Sequence, residues 1–100
     1  MKLYGFLEPA QIEFDEAVSF YNHQREYLGD EFAAEVLNTI NRILSHPEAW
    51  TKLSKRTRRC RTNRFPYSVI YQIRGGGILI VAVAHSRRNP KYWRERLRPN

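Results

Sequence analysis

The sequence is poor in the features that mark several large classes of protein. Cys60 is its only cysteine, so no internal disulfide can form, which excludes a stapled secreted domain and points to a reducing, cytoplasmic setting. The longest unbroken apolar run, Ile78 to Ala84, is seven residues, far short of the roughly 18 that span a bilayer. Met1-Lys2-Leu3-Tyr4-Gly5 meets Glu8 before any apolar signal core has formed, so neither an export signal nor a membrane partner is expected. His23, His46 and His85 lie far apart with no second His or Cys at zinc-ligand spacing, and no metal or cofactor is expected. Gly75-Gly76-Gly77 lacks the Lys-Ser/Thr that completes a phosphate-cradling loop.

Acid is scarce in one half only. Residues 51–100 hold fourteen basic residues against one acidic residue, Glu95, a balance of +13, while residues 1–50 hold three basic and nine acidic ones, a balance of −6. The C-terminal half therefore presents an anion-seeking surface. With 100 residues, 42% of them hydrophobic, the chain suits one domain, 1–100, with a modest core.

The apolar pattern predicts the elements. Lys2 to Leu7 reads as a short first strand ended by Glu8-Pro9, with Pro9 in the first turn of a helix. Ala10, Phe14, Ala17, Val18 and Tyr21 form an amphipathic stripe that Leu28-Gly29 is expected to end. Gly29 or Asp30 is expected to cap a second helix with the stripe Phe32, Val36, Leu37, Ile40, Ile43 and Leu44, stopped at His46-Pro47. So short a connection predicts an antiparallel helical hairpin.

Beyond Leu53 the period changes to 2. Lys55 to Thr62 alternates weakly, and Phe65, Tyr67, Val69, Tyr71 and Ile73 mark one apolar face of a strand. Gly75-Gly76-Gly77 is a hairpin connection, and Ile78 to Ala84, apolar on both faces, is a central strand. Asn89-Pro90 opens a short last helix in which Trp93 and Leu97 share a face. The order β-α-α-β-β-β-α predicts an α+β fold: an N-terminal strand, a helical hairpin packed on a small antiparallel sheet, and a short C-terminal helix.

The densest chemical signal is Lys52, Lys55, Arg56, Arg58, Arg59, Arg61 and Arg64, seven cations within thirteen residues. Guanidinium forks suit phosphates and carboxylates alike, and charge on an edge strand also protects it from unwanted pairing. The second cluster is His85-Ser86-Arg87-Arg88 with Tyr92-Trp93-Arg94. There His85 is positioned to carry a proton beside guanidiniums able to stabilise a phosphorane, or simply to bond locally while Trp93 packs on the sheet. Tyr67 and Tyr71 are read as core beneath the hairpin rather than as a base-stacking platform, and Cys60 as structural.

Taken in order, Ala17 with Phe20-Tyr21, Leu28-Gly29 with Phe32 and Glu35, Ile43 with Pro47, Arg58-Arg59, Phe65-Pro66-Tyr67-Ser68-Val69-Ile70-Tyr71, and Val83-Ala84-His85-Ser86-Arg87-Arg88 with Pro90 and Trp93 resemble the RelE/ParE superfamily of type II toxin–antitoxin toxins. The resemblance implies a growth-inhibiting toxin neutralised by a cognate antitoxin whose acidic, initially disordered tail wraps the basic surface, with Arg56, Arg58, Arg59, Arg61 and Arg64 as its binding residues. Operator DNA is then reached only through the antitoxin. RelE-like members cut mRNA on the ribosome, and under that reading His85, Arg61 and Arg87 are the catalytic set. Ser68 stands where those nucleases carry an arginine and Trp93 where they carry a tyrosine. The chain is closer to the ParE-like, plasmid-stabilisation branch, which poisons DNA gyrase, with Arg61, Arg87, Arg88 and Trp93 expected at the target surface. An inactive remnant that only binds antitoxin is the third reading.

Overall fold

The computed structural model describes residues 3–98, so Lys2, expected in the first strand, lies outside the described residues. The elements are β1 (Tyr4–Phe6), α1 (Glu8–Gln24), α2 (Leu28–Ser45), β2 (Thr51–Lys52), β3 (Thr57–Arg61), β4 (Tyr67–Arg74), β5 (Gly77–His85) and a C-terminal 3-10 helix (Tyr92–Leu97). The five strands form one sheet in the order β1-β5-β4-β3-β2. The helical hairpin covers one face and the 3-10 helix the other. No helix among the described residues is long and apolar enough to cross a membrane.

The predicted α+β architecture holds, with one correction: the sheet is mixed, because β1 runs parallel to β5, Tyr4 opposite Ile78 and Phe6 opposite Ile80. The hairpin α1–α2 and three strands intervene between β1 and β5, so their pairing is not constrained by a tight turn and a parallel arrangement is open to it. β2, not expected as a separate strand, pairs antiparallel with β3 over Thr51–Arg59 and Lys52–Arg58.

The hairpin also ends differently from its sequence reading. α1 stops at Gln24, the chain turns through Tyr27 at φ 65°, and Gly29 lies inside α2 rather than after α1. The glycine serves a close approach: a Cβ there would stand 2.1 Å from the Val18 carbonyl oxygen and 2.6 Å from Asn22 Cγ. Asn22 Oδ1 accepts the Gly29 N–H at 2.7 Å, capping α2 from the neighbouring helix in place of Gly29 or Asp30. Phe32, Val36, Ile40 and Ile43 are buried as predicted, whereas Leu37 is 44% exposed. Leu37 sits about 100° round the helix from Val36, and Thr39 fills the other flank, its hydroxyl donating to the Glu35 carbonyl.

The β4–β5 turn is the predicted glycine hairpin, with Gly75 and Gly76 both at positive φ and Arg74 paired with Gly77. Farther along, Ile70 pairs with Ala82 and Tyr71 with Ile80, so Val81 is an extra residue in β5. This bulge reverses the alternation. Ile78, Ile80 and Val83 pack under the hairpin, while Val81, Ala82 and Ala84 pack with Ile70 and Trp93 on the other face.

Candidate functional site

The basic residues of β3 and its flanks divide according to the pleat. Arg58 faces the hairpin, and its guanidinium donates to the Glu48 and Trp50 carbonyls, both at 2.9 Å. Expected among the antitoxin contacts, it instead staples the segment between α2 and β2. Arg59 points to the opposite face, half-buried, and its Nε is buried without a hydrogen-bond partner. Arg56 and Arg61 are exposed. Arg64 pairs with Glu31 at 2.9 Å and lies over the Phe65 ring, and its guanidinium holds the Glu31 carboxyl below the ordinary range.

Arg59, Arg61 and Arg64 border a cleft of about 680 Å³ between the end of α2 and the β3–β4 connection, lined also by Arg42, Trp50 and Phe65. Arg42 is the cation that sequence proximity missed. It reaches from the last turn of α2 to the Thr39 hydroxyl and the Arg61 carbonyl, over the Trp50 ring. Its one signal is that it is the only basic residue in an otherwise acidic helix. Cys60 lies buried beneath the cleft, where burial pushes its thiol up against the pull of Arg42.

At the other end of the sheet, His85 closes β5. Its ring meets Tyr67 edge-on at 5.1 Å, and Nδ1 accepts the Arg87 N–H at 3.0 Å. Arg87 is exposed, and Arg88, also exposed, covers the Tyr92 ring at 3.8 Å. Trp93, expected at a target surface, is corrected to core: it is 2% exposed, packed on Ile70, Val81 and Ala84, with Nε1 donating to the Pro90 carbonyl.

The nuclease set does not gather. Arg61 pairs with Ser68 and His85 pairs with Tyr67, and neighbouring residues of β4 point to opposite faces. Arg61 and His85 therefore project from opposite sides of the sheet, with Arg87 in the turn beyond. The tyrosines that pack on the sheet offer no ready proton carrier either. Burial pushes Tyr67 and Tyr71 up to about 12, and Tyr71 donates to the Pro47 carbonyl. Burial also raises Tyr92, whose hydroxyl donates to Glu13 at 2.6 Å.

Glu13 is the residue that sequence reasoning passed over. Its carboxylate accepts from both ends of the Arg96 guanidinium, from Tyr92 and from the Val83 N–H, with Arg88 at 3.6 Å. Burial pushes the carboxyl up, but the bonds from Arg96, Tyr92 and Val83 outweigh it and leave it below its ordinary value. This hub ties α1, β5 and the 3-10 helix together and holds the His85–Arg88 turn in place. Among the described residues no three His, Cys, Asp or Glu side chains gather closely enough to hold a metal ion.

A family model described as "ParE toxin of type II toxin-antitoxin system, parDE" matches residues 5–90, a span that takes in the hairpin, the sheet and the turn after β5. Among solved structures, a chain described as "Chromosomal ParDE TA system from P. aeruginosa" superposes with a TM-score of 0.73 at 13% identity, over 85% of this chain and 96% of that one. At that identity the likeness speaks for the fold. No curated protein matches the chain.

Proposed function

The chain belongs to the ParE toxin family of type II toxin–antitoxin systems, and from that premise we propose that it stops growth in the cytoplasm by binding and poisoning DNA gyrase. The observation that carries this reading over mRNA cleavage is the separation of Arg61 and His85 on opposite faces of the sheet. Strand cleavage needs a proton carrier and a phosphate-stabilising cation on the same reacting group. Here the Tyr92 hydroxyl is held by Glu13 and Trp93 is core. Arg61, Arg87 and Arg88 are exposed, and binding, unlike cleavage, does not require them to converge on one group.

The cognate antitoxin is the second partner, and the basic cleft supports its acidic segment as the occupant. Arg42, Arg61 and Arg64 in the cleft, with exposed Arg56 on the same basic segment, offer charge-assisted bonds that offset the cost of ordering a disordered chain. Operator DNA is then contacted through the antitoxin.

Inducing this gene alone while following thymidine and methionine incorporation over the first minutes tests the reading. DNA synthesis should fall first, with induction of the SOS response. An earlier fall in protein synthesis replaces gyrase with the ribosome and its mRNA, and an absence of any growth defect leaves an inactive antitoxin-binding remnant.

A further inference from the structure

Arg59 is the one residue of the basic strand whose chemistry is left incomplete. Its Nε is the only buried side-chain polar atom among the described residues without a hydrogen-bond partner. A buried donor is normally paired, and an orphan calls for an explanation. The side chain borders two spaces: the wide cleft it shares with Arg61, and a narrow recess on the face of the sheet that carries Ile70 and Trp93. The recess is about 90 Å³; Leu53, Ile70, Ala84 and Trp93 give it apolar walls, and Ser68, Ser86, His85 and Arg88 also border it. The guanidiniums of Arg59 and Arg88 and the serine hydroxyls set donors beside apolar walls, which suits an anionic acceptor group carried on a short aliphatic stem.

We propose that this recess is a socket for a single carboxylate side chain, an Asp or Glu of the acidic antitoxin segment, bound to Arg59. The proposal rests on the toxin–antitoxin reading and adds to it one anchoring contact. A carboxylate sits at the end of a side chain and enters a narrow recess by its tip. A phosphodiester has chain leaving on both sides and cannot insert between Leu53 and Trp93 in that way. The cleft supplies long-range attraction, whereas the recess supplies a desolvated contact, and buried, charge-assisted bonds carry more of an interface's energy than exposed ones. Arg59 thus differs from Arg56 and Arg61, which are exposed.

The test uses the full ¹⁵N-labelled toxin and the Nε–Hε resonances of its arginines, with Arg59 assigned by its loss in Arg59→Lys. Titrated acetate should shift the Arg59 resonance saturably, while dimethyl phosphate should move Arg61 and Arg64 and leave Arg59 in place. Ser68→Leu, which fills the recess without touching Arg59's charge, should abolish the acetate response. An Arg59 resonance that ignores acetate, or that follows dimethyl phosphate equally well, overturns the socket. In complex with the antitoxin the resonance should shift in the acetate direction, and Arg59→Lys should weaken binding by about tenfold or more. Equal binding of wild type and Arg59→Lys overturns the proposal and leaves the toxin–antitoxin reading intact. Failure of the antitoxin to bind wild type overturns that reading, and the proposal with it.

Discussion

Glu13 and Arg96, 83 residues apart in sequence, meet in a two-pronged ion pair of 2.8 and 2.9 Å at the open edge of β5. β1 covers only the first part of that edge; its last bond runs from the Leu7 N–H to the Ile80 carbonyl. Where the strand ends, the ion pair takes over: Arg96 donates to the Val81 carbonyl at 3.0 Å and Glu13 accepts the Val83 N–H at 3.1 Å. Two side chains thus satisfy backbone groups that another strand would otherwise pair. The same contact fixes the 3-10 helix, and with it Trp93, against the sheet.

Glu13→Gln should therefore destabilise the fold far more than a surface change does. The glutamine keeps the size but leaves Arg96 without its counter-charge in a site where both side chains are mostly buried. Loss of one partner of such a pair costs about 3 kcal/mol. Urea denaturation of the two proteins checks this, and a change under about 0.5 kcal/mol, the level of an ordinary surface substitution, would show that the edge is held by other contacts.

The same carboxylate gives the stability curve a sign with pH. Its folded-state value lies below the ordinary 4.5, since the bonds it accepts outweigh its burial. Between those two values the unfolded chain binds the extra proton, so stability rises with pH there. The contribution is complete above the unfolded value of 4.5 and is lost as pH falls through the lowered folded value. Urea midpoints from pH 6 down to pH 3, a range of about three units around the carboxylate pKa, should fall more steeply for wild type than for Glu13→Gln. Parallel curves would remove Glu13 as the source.

Where α1 passes into α2, the two conformational demands fall on different residues, two positions apart. Gly29→Ala sets a methyl against the Val18 carbonyl oxygen, a backbone atom with little room to yield, and should cost about 3 kcal/mol. Tyr27 occupies the left-handed region at φ 65° while 65% exposed. Tyr27→Gly should be neutral or stabilising by up to about 1 kcal/mol, because glycine adopts that conformation without steric cost. Thermal melts of the two variants should move in opposite directions, or the second not at all.

Repeating local patterns made most of the fold legible in the sequence. Phe32, Val36 and Ile40 recur with the helical period, and Val69 and Tyr71 alternate on a strand; both sets are buried under the hairpin. Gly75-Gly76 announces its turn because few other residues accept two successive positive φ values. What stayed hidden depends on register between distant segments. The three residues of β1 carry no information about parallel pairing with β5. The bulge at Val81 flips the alternation that follows it, so counting from Ile78 puts His85 on the wrong face. Glu13 sits on the flank of an unremarkable acidic helix, and only the docking of Arg96 and Tyr92 gives it a role. Arg58 and Arg59 are neighbours of one residue type, and the pleat alone makes one a staple and the other a candidate anchor.

That division predicts a separation of stability from function along β3. Arg58→Gln removes two charge-assisted bonds to the Glu48 and Trp50 carbonyls and should cost about 2 kcal/mol, lowering toxicity only as far as it lowers the folded population. Arg61→Gln and Arg87→Gln change exposed side chains, so they should leave the melting temperature within the range of ordinary surface substitutions while, on the proposed gyrase reading, weakening growth inhibition by about tenfold each. Measuring melting curves beside growth inhibition from induced genes separates the two effects. Full toxicity in an Arg61→Gln, Arg87→Gln double variant would remove both residues from the target surface. A fold-destabilising effect of Arg61→Gln equal to that of Arg58→Gln would show that the exposed arginines also hold the sheet edge, and the cleft would then be a stabilising feature before it is a binding one.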